Sequence, residues 1–149
     1  AKLGENLQLT RAMRWVGTDT SKFEAYVHMN GKLVVLVEVE GDCTDEMLHD
    51  LAMHIAAYNP AYIVPEEIPQ EQIAKEREIA EAQMQGKPEN IIAKIVDGKI
   101  NKWYSEICLM RQPWIRDDKS NLAKLAPELK VKRFVRWQVG ETATVEEDA

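Results

Sequence analysis

Apolar and polar positions follow two different periods along this chain, and the switches between them mark out the elements. In "FEAYVHMN", residues 23–30, Phe23, Ala25, Val27 and Met29 share one parity while Glu24, Tyr26 and His28 share the other. That period of two predicts a strand with one polar face. Asn30 and Gly31 come next, and both tolerate the positive φ that a tight reversal needs. "KLVVLVEVE" then returns as a central strand, apolar on both faces at first and alternating Val37, Glu38, Val39, Glu40 toward one wet face. Ahead of this hairpin, "LQLTRAMRWVG" sets Leu7, Leu9, Met13 and Trp15 on one parity before the turn residues of Gly17 and "TDTS", so a further strand is expected there. Near the other end, "VKRFVRWQVG" predicts a last strand with Val131, Val135, Trp137 and Val139 on one parity.

The period changes in "TDEMLHDLAMHIAAYNP", where Leu48, Leu51, Ala52, Ile55 and Ala56 recur at helical spacing. Thr44 is placed to cap this helix, Asp45 and Glu46 suit the positive end of its dipole, and Asn59-Pro60 stops it. Two more helical segments flank Gly86-Lys87-Pro88. The first, from Gln70 to Gln85, has a thin stripe of Ile73, Ala80 and Met84; the second carries Ile92, Val96, Ile100, Trp103 and Ile107, close to a coiled-coil seam, with Gly98 as a candidate kink. A loop and a short helix in "QPWIRDDKSNLAKLAPEL" lead back to the last strand. The expected fold class is α+β: a small antiparallel sheet packed with helices on one face, with an inserted antiparallel helical hairpin, a coiled coil, standing away from it.

Composition narrows the function. A chain of 149 residues with 45% apolar content is long enough for one core. A formal charge of −6 argues against a protein whose task is coating phosphate backbones, so no nucleic acid partner is expected. Cys43 and Cys108 form no C-x-x-C pair and read as free thiols of a reducing compartment. The longest aliphatic run, Leu33 to Val37, falls far short of the ~20 residues that span a bilayer. "AKLGENLQL" has no apolar signal core, so a soluble, cytoplasmic protein without a membrane partner is expected. The first residue is Ala rather than Met, which suggests a processed chain or an excised domain.

Candidate chemistry is sparse. His49 and His54 lie five residues apart, about 140° around a helix, unlike the i, i+4 pair that grips a metal. No G-x-S-x-G or Walker loop is present, and "NGKL" and "DGKI" lack the spaced glycines that cradle phosphate. Asp42, Asp45 and Glu46 sit at a helix start, where capping explains them better than a cation. Trp15, Trp103 and Trp137 fall at apolar periodic positions and read as core; Trp114, after Pro113 in a loop, reads as a partner anchor. His28 has neither a second ligand for a metal nor a nucleophile to serve as a base, which leaves a protein contact beside Tyr26 or no role at all. No catalytic residue, metal or cofactor is expected, and the inventory suits a binding protein better than an enzyme.

Several strings together resemble one family. "LGENLQLTRAM", "AYVH" before a run ending "VLV", "HDLAMHIAAYNPAYI", "IAKERE", "GKPENIIAKIVDGKINKWYSEICLMRQPWI" and "RFVRWQVGE" run collinearly in the order found in elongation factor Ts, the guanine nucleotide exchange factor of elongation factor Tu. The resemblance implies residues 1–65 as the first part of the family's core subdomain, 66–109 as its inserted helical hairpin, 110–140 as the return segment and 141–149 as an acidic tail. It implies two contact patches on elongation factor Tu: Leu3 and Gly4 with His28 and neighbouring Tyr26 against the nucleotide-binding domain, and Ile115 with Arg116 against the third domain. The family's amino-terminal helical module and its Thr-Asp-Phe-Val subdomain have no counterpart here, since Glu46 follows Thr44-Asp45 where an apolar Phe would be needed. The expectation is therefore weak binding of elongation factor Tu and poor exchange of GDP for GTP by these residues alone. Pairing with a second copy through a sheet edge or the helical arm is a further expectation.

Overall fold

The structure is a computed structural model that describes Gly4, residues 8–84 and residues 88–141. Leu3, the Gly86-Lys87 tip and the tail beyond Glu141 lie outside the described residues. The elements are β1 (Lys22–His28), β2 (Leu33–Glu40), α1 (Asp45–Tyr58), a 3-10 turn (Pro65–Glu67), α2 (Gln70–Ala82), α3 (Glu89–Ile107), α4 (Leu122–Leu125) and β3 (Lys130–Gln138). The three strands make an antiparallel sheet in the order β1-β2-β3. The fold is thus α+β, with the sheet and the hairpin turn where the alternation predicts them.

The turn between β1 and β2 places Met29, Asn30 and Gly31 at φ of 52°, 54° and 85°, and Lys32 N–H donates to the Met29 carbonyl at 3.2 Å. Left-handed backbone at the last two positions is what Asn and Gly accommodate at least cost. β2 then presents Leu33, Val35, Val37 and Val39, all buried, to Leu48, Leu51, Ala52 and Ile55 of α1, and Leu109, Trp114, Leu122 and Leu129 complete this core. α1 starts where Thr44 Oγ1 accepts from Met47 N–H at 3.2 Å and stops at Asn59, left-handed at φ 46°, whose N–H donates to Ile55 O at 3.1 Å.

Several expectations need correction. Residues 8–17 form no strand; this segment meets β3 through its side chains, with Arg11 over the Trp137 ring at 4.6 Å and Arg133 over Trp15 at 4.5 Å. The single parity expected of the last strand is broken by a bulge. Val39 pairs with Val131 but Glu38 with Arg133, so Lys132 is an extra residue; Val131 and Phe134 turn to the core while Val135 and Trp137 join Leu36 and Val34 on the opposite face.

The wet face expected of β2 is partly covered as well. Glu38 is buried, accepting a hydrogen bond from Ser21 Oγ at 2.6 Å and another from Arg133 Nε. The tryptophan assignment is inverted: Trp114 is 4% exposed and belongs to the core, whereas Trp15, Trp103 and Trp137 are only half-buried. The loop bearing Trp114 folds back over α1, which loop composition does not reveal.

α3 runs through Gly98 without a break. Between α2 and α3 the buried apolar contact is confined to Ala80, Val96 and Ile100, flanked by Ile92 and Tyr104. Trp103, Ile107, Ile73 and Met84 are half-buried and take no part in that cluster, so the contact is shorter than the periodic stripes suggest.

Candidate functional site

The site begins with α1. Glu24, Tyr26 and His28 pair across β1 and β2 with Val37, Val35 and Leu33, so the polar parity of β1 lies on the same side as the core-facing valines of β2, toward α1. It is the other parity, Phe23, Ala25 and Val27, that faces away and is exposed. His49 reaches up from α1 to Glu24, Nδ1 to Oε1 at 2.8 Å, and meets the Tyr26 ring edge-on at 5.6 Å. Tyr26 Oη is 3.0 Å from His28 Nδ1, with the two rings stacked at 5.7 Å. Glu24, His49, Tyr26 and His28 therefore form one continuous row at the seam of sheet and helix.

The segment from Cys108 to Asp117 closes on the same helix. Leu109 N–H donates to Tyr62 O at 2.9 Å and Met110 N–H to Ile63 O at 3.0 Å, which fixes where the segment leaves α3. Further on, Arg116 forks onto Asp50 of α1, Nη2 to Oδ1 at 2.6 Å and Nε to Oδ2 at 3.0 Å. This hydrogen bonding and the charge of Asp50 raise the pKa of Arg116. Its guanidinium is committed to Asp50, although the side chain is 60% exposed against 12% for Asp50.

Ile115, between these anchors, turns toward the row described above. Tyr26, His28, Met53, Ala56, Ala57 and Ile115 line one cavity of about 220 Å³. Three residues that the family resemblance divides between two patches thus line one cavity. Arg116 stands beside this cavity without lining it, and Gly4, at φ 61° in open space, is not part of it.

The sequence reading took Ala56 into the core stripe and missed Met53 and Ala57, which with Ala56 form the helix floor of the cavity. Their i, i+3, i+4 spacing is a second apolar stripe beside the core stripe of Leu48, Leu51, Ala52 and Ile55, and that spacing was available as a signal. It also missed His54 and Gln112, whose side chains meet across 58 residues of sequence at 3.0 Å.

The chemistry such a surface supports is recognition. Among the described residues no three or more His, Cys, Asp or Glu side chains converge as a metal site would require. No helix among them is long and apolar enough to cross a membrane. Cys43 and Cys108 are unpaired and buried, and burial pushes the Cys108 thiol up to about 11, away from nucleophilic use at neutral pH.

Comparison with known proteins agrees with the quoted strings. The family model described as Elongation factor TS matches residues 1–141. The chain is similar to elongation factor Ts of Protochlamydia amoebophila, 45% identical over 148 residues that cover 93% of this chain and 52% of that protein. It is also similar to elongation factor Ts of Halothermothrix orenii, 43% identical over 156 aligned positions, 99% of this chain and 51% of that protein. The chain spans about half the length of these curated relatives. With the family model matching all but the last few residues, the chain belongs to the elongation factor Ts family.

Proposed function

We propose that these residues are a part of a cytoplasmic translation elongation factor that docks on elongation factor Tu and promotes exchange of its GDP for GTP, with Tyr26, His28 and Ile115 as the contact surface. The observation that carries this reading is the shared cavity: an apolar floor from α1, an apolar wall from Ile115 and a polar rim from Tyr26 and His28. An apolar side chain of the partner fits the floor, and the rim supplies hydrogen bonds that orient it. Tyr26 engages His28 through Nδ1, so Nε2 is the nitrogen left for the partner. Arg116 contributes by holding Ile115 in place through Asp50 more than by offering charge, and Leu3 and Gly4 supply a further contact with the partner.

The mechanism needs no covalent step and no catalytic residue, metal or cofactor on this chain. A factor that binds the nucleotide-free partner more tightly than the nucleotide-bound one lowers the cost of losing GDP, and reciprocity makes the nucleotide weaken the factor equally. His28→Ala and Ile115→Ala are each expected to weaken binding to nucleotide-free elongation factor Tu about tenfold, read by titration calorimetry. Unchanged affinity in both variants would overturn the reading.

A second reading rests on a different surface. The outer sheet face exposes Val27 at 60% and Met29 lies beside it at 59%, with Phe23 and Met13 also exposed. A second copy of the chain paired through this face would cover them, and sedimentation of Val27→Lys, monomeric where the parent chain pairs, tests it.

A further inference from the structure

The polar group at the centre of the fold lies behind the cavity and is not explained by packing alone. His54 of α1 is fully buried, and among the described residues its Nδ1 has no hydrogen-bond partner. An apolar ring would fill the same space without stranding a polar atom, so what the imidazole adds must come from its other nitrogen. That nitrogen, Nε2, lies 3.0 Å from Gln112 Oε1. The orientation of Gln112 is set independently, because its Nε2 donates to Tyr58 O at 3.3 Å and to Glu106 O at 2.8 Å. Oε1 is therefore an acceptor, and His54 carries its proton on Nε2.

Gln112 in this arrangement is a hub. It ties the last turn of α1, the last turn of α3 and the start of the Ile115 segment to one another. The imidazole is also the middle ring of a stack, with Tyr58 at 4.5 Å and 8° on one side and Trp114 at 5.2 Å and 15° on the other. Trp114 immediately precedes Ile115, and Arg116 immediately after it is clamped to Asp50, one helical turn before His54. Ile115 is thus held from both sides by residues that grip a single face of α1.

We infer that His54, acting through Gln112 and Trp114, is a positioning residue that sets Ile115 against Tyr26 and His28 and so shapes the cavity for the partner. This rests on the docking reading above for its consequence in binding, but the placement of the segment has its own readout. Without the Nε2 donor, Gln112 Oε1 is left as a buried acceptor and the segment relaxes away from α1.

The test uses His54→Phe, which keeps a planar ring in the stack and removes the donor. Hydrogen exchange in residues 110–117 is expected to speed up while β1 and β2 keep their protection, and affinity for nucleotide-free elongation factor Tu is expected to fall about tenfold. Combined with Ile115→Ala, it is expected to cost nothing beyond Ile115→Ala alone, since His54 acts through that side chain.

A merely structural role would lower the melting temperature and leave both the exchange of 110–117 and the affinity unchanged, which overturns the inference. Additive losses in the double variant overturn it too. Should Ile115→Ala and His28→Ala both leave affinity intact, the docking reading fails by itself and the exchange of 110–117 decides the positioning role alone. If His54→Phe does not fold, His54→Leu, which likewise removes the donor with a smaller apolar side chain, takes its place with the same expected and overturning results.

Discussion

The three histidines show how one residue type acquires opposite meanings from its surroundings. His28 and His49 sit at the surface with polar partners, whereas burial pushes the pKa of His54 below its ordinary value, partly offset by the hydrogen bond with Gln112. Asp50 from the same helix and Arg116 from the segment above are the charged groups nearest along that face, and they neutralise each other. A depressed histidine pKa makes the neutral form the native one, so stability is full above about 6.5, the ordinary imidazole value, and falls as pH drops through it toward the folded-state value. Urea midpoints of the parent chain are expected to decline between pH 7.5 and 5.5, and the midpoints of His54→Phe to decline less; equal declines would remove His54 as the cause. Glu38 works with the other sign. The Ser21 hydroxyl and Arg133 hold its carboxyl below the usual range against the opposing effect of burial, so its contribution persists from neutral pH down to the carboxylate range and is lost only below it.

At the scale of elements, what was legible followed from how local the determinant is. The β1–β2 hairpin and α1 are specified by turn and capping residues within a few positions of each other, and both stand where the patterns put them. β3 is legible as a strand but its facing is not, because the extra residue Lys132 is defined only by its pairing with β2. Residues 8–17 alternate like a strand yet meet β3 through side chains instead of pairing with it. Gly41, between β2 and α1, shows a constraint of the same kind: φ is 104°, and an added Cβ would lie 2.6 Å from the carbonyl oxygen of Glu128. Gly41→Ala is expected to cost about 2 kcal/mol through strain at that backbone position, measured by urea unfolding. A cost near zero would mean that β2 and the approach to β3 shift freely there.

For the whole molecule, the cavity gathers β1, α1 and the segment after α3, and its two walls are separated by most of the chain. Read as an exchange-factor surface, it is one part of a larger contact: these residues contain no Thr-Asp-Phe-Val string, and they span about half the length of their relatives. Residues 1–149 alone are expected to release fluorescent GDP from elongation factor Tu far more slowly than a full-length relative, while still binding its nucleotide-free form. Release at the rate of the full-length factor would refute this. The division into core, inserted hairpin and return segment belongs to the same reading, and removal of 76–99 with a short linker, which keeps Glu106 to hold Gln112, would support it by leaving the affinity intact.

The sequence by itself determined the α+β class, the hairpin, the first helix with its cap, the family strings and three of the six residues that line the cavity, since each of these is written in short-range period, turn chemistry or collinear motif. Only the tertiary structure decided which face of each strand is covered, that Trp114 is core while Trp137 is not, that Arg116 is bound to Asp50, and that His28 and Ile115 share a cavity. Parity specifies two faces without saying which one a helix will cover, and a loop's composition says nothing about the helix it folds back on. Those choices are made by burial and pairing between positions tens of residues apart.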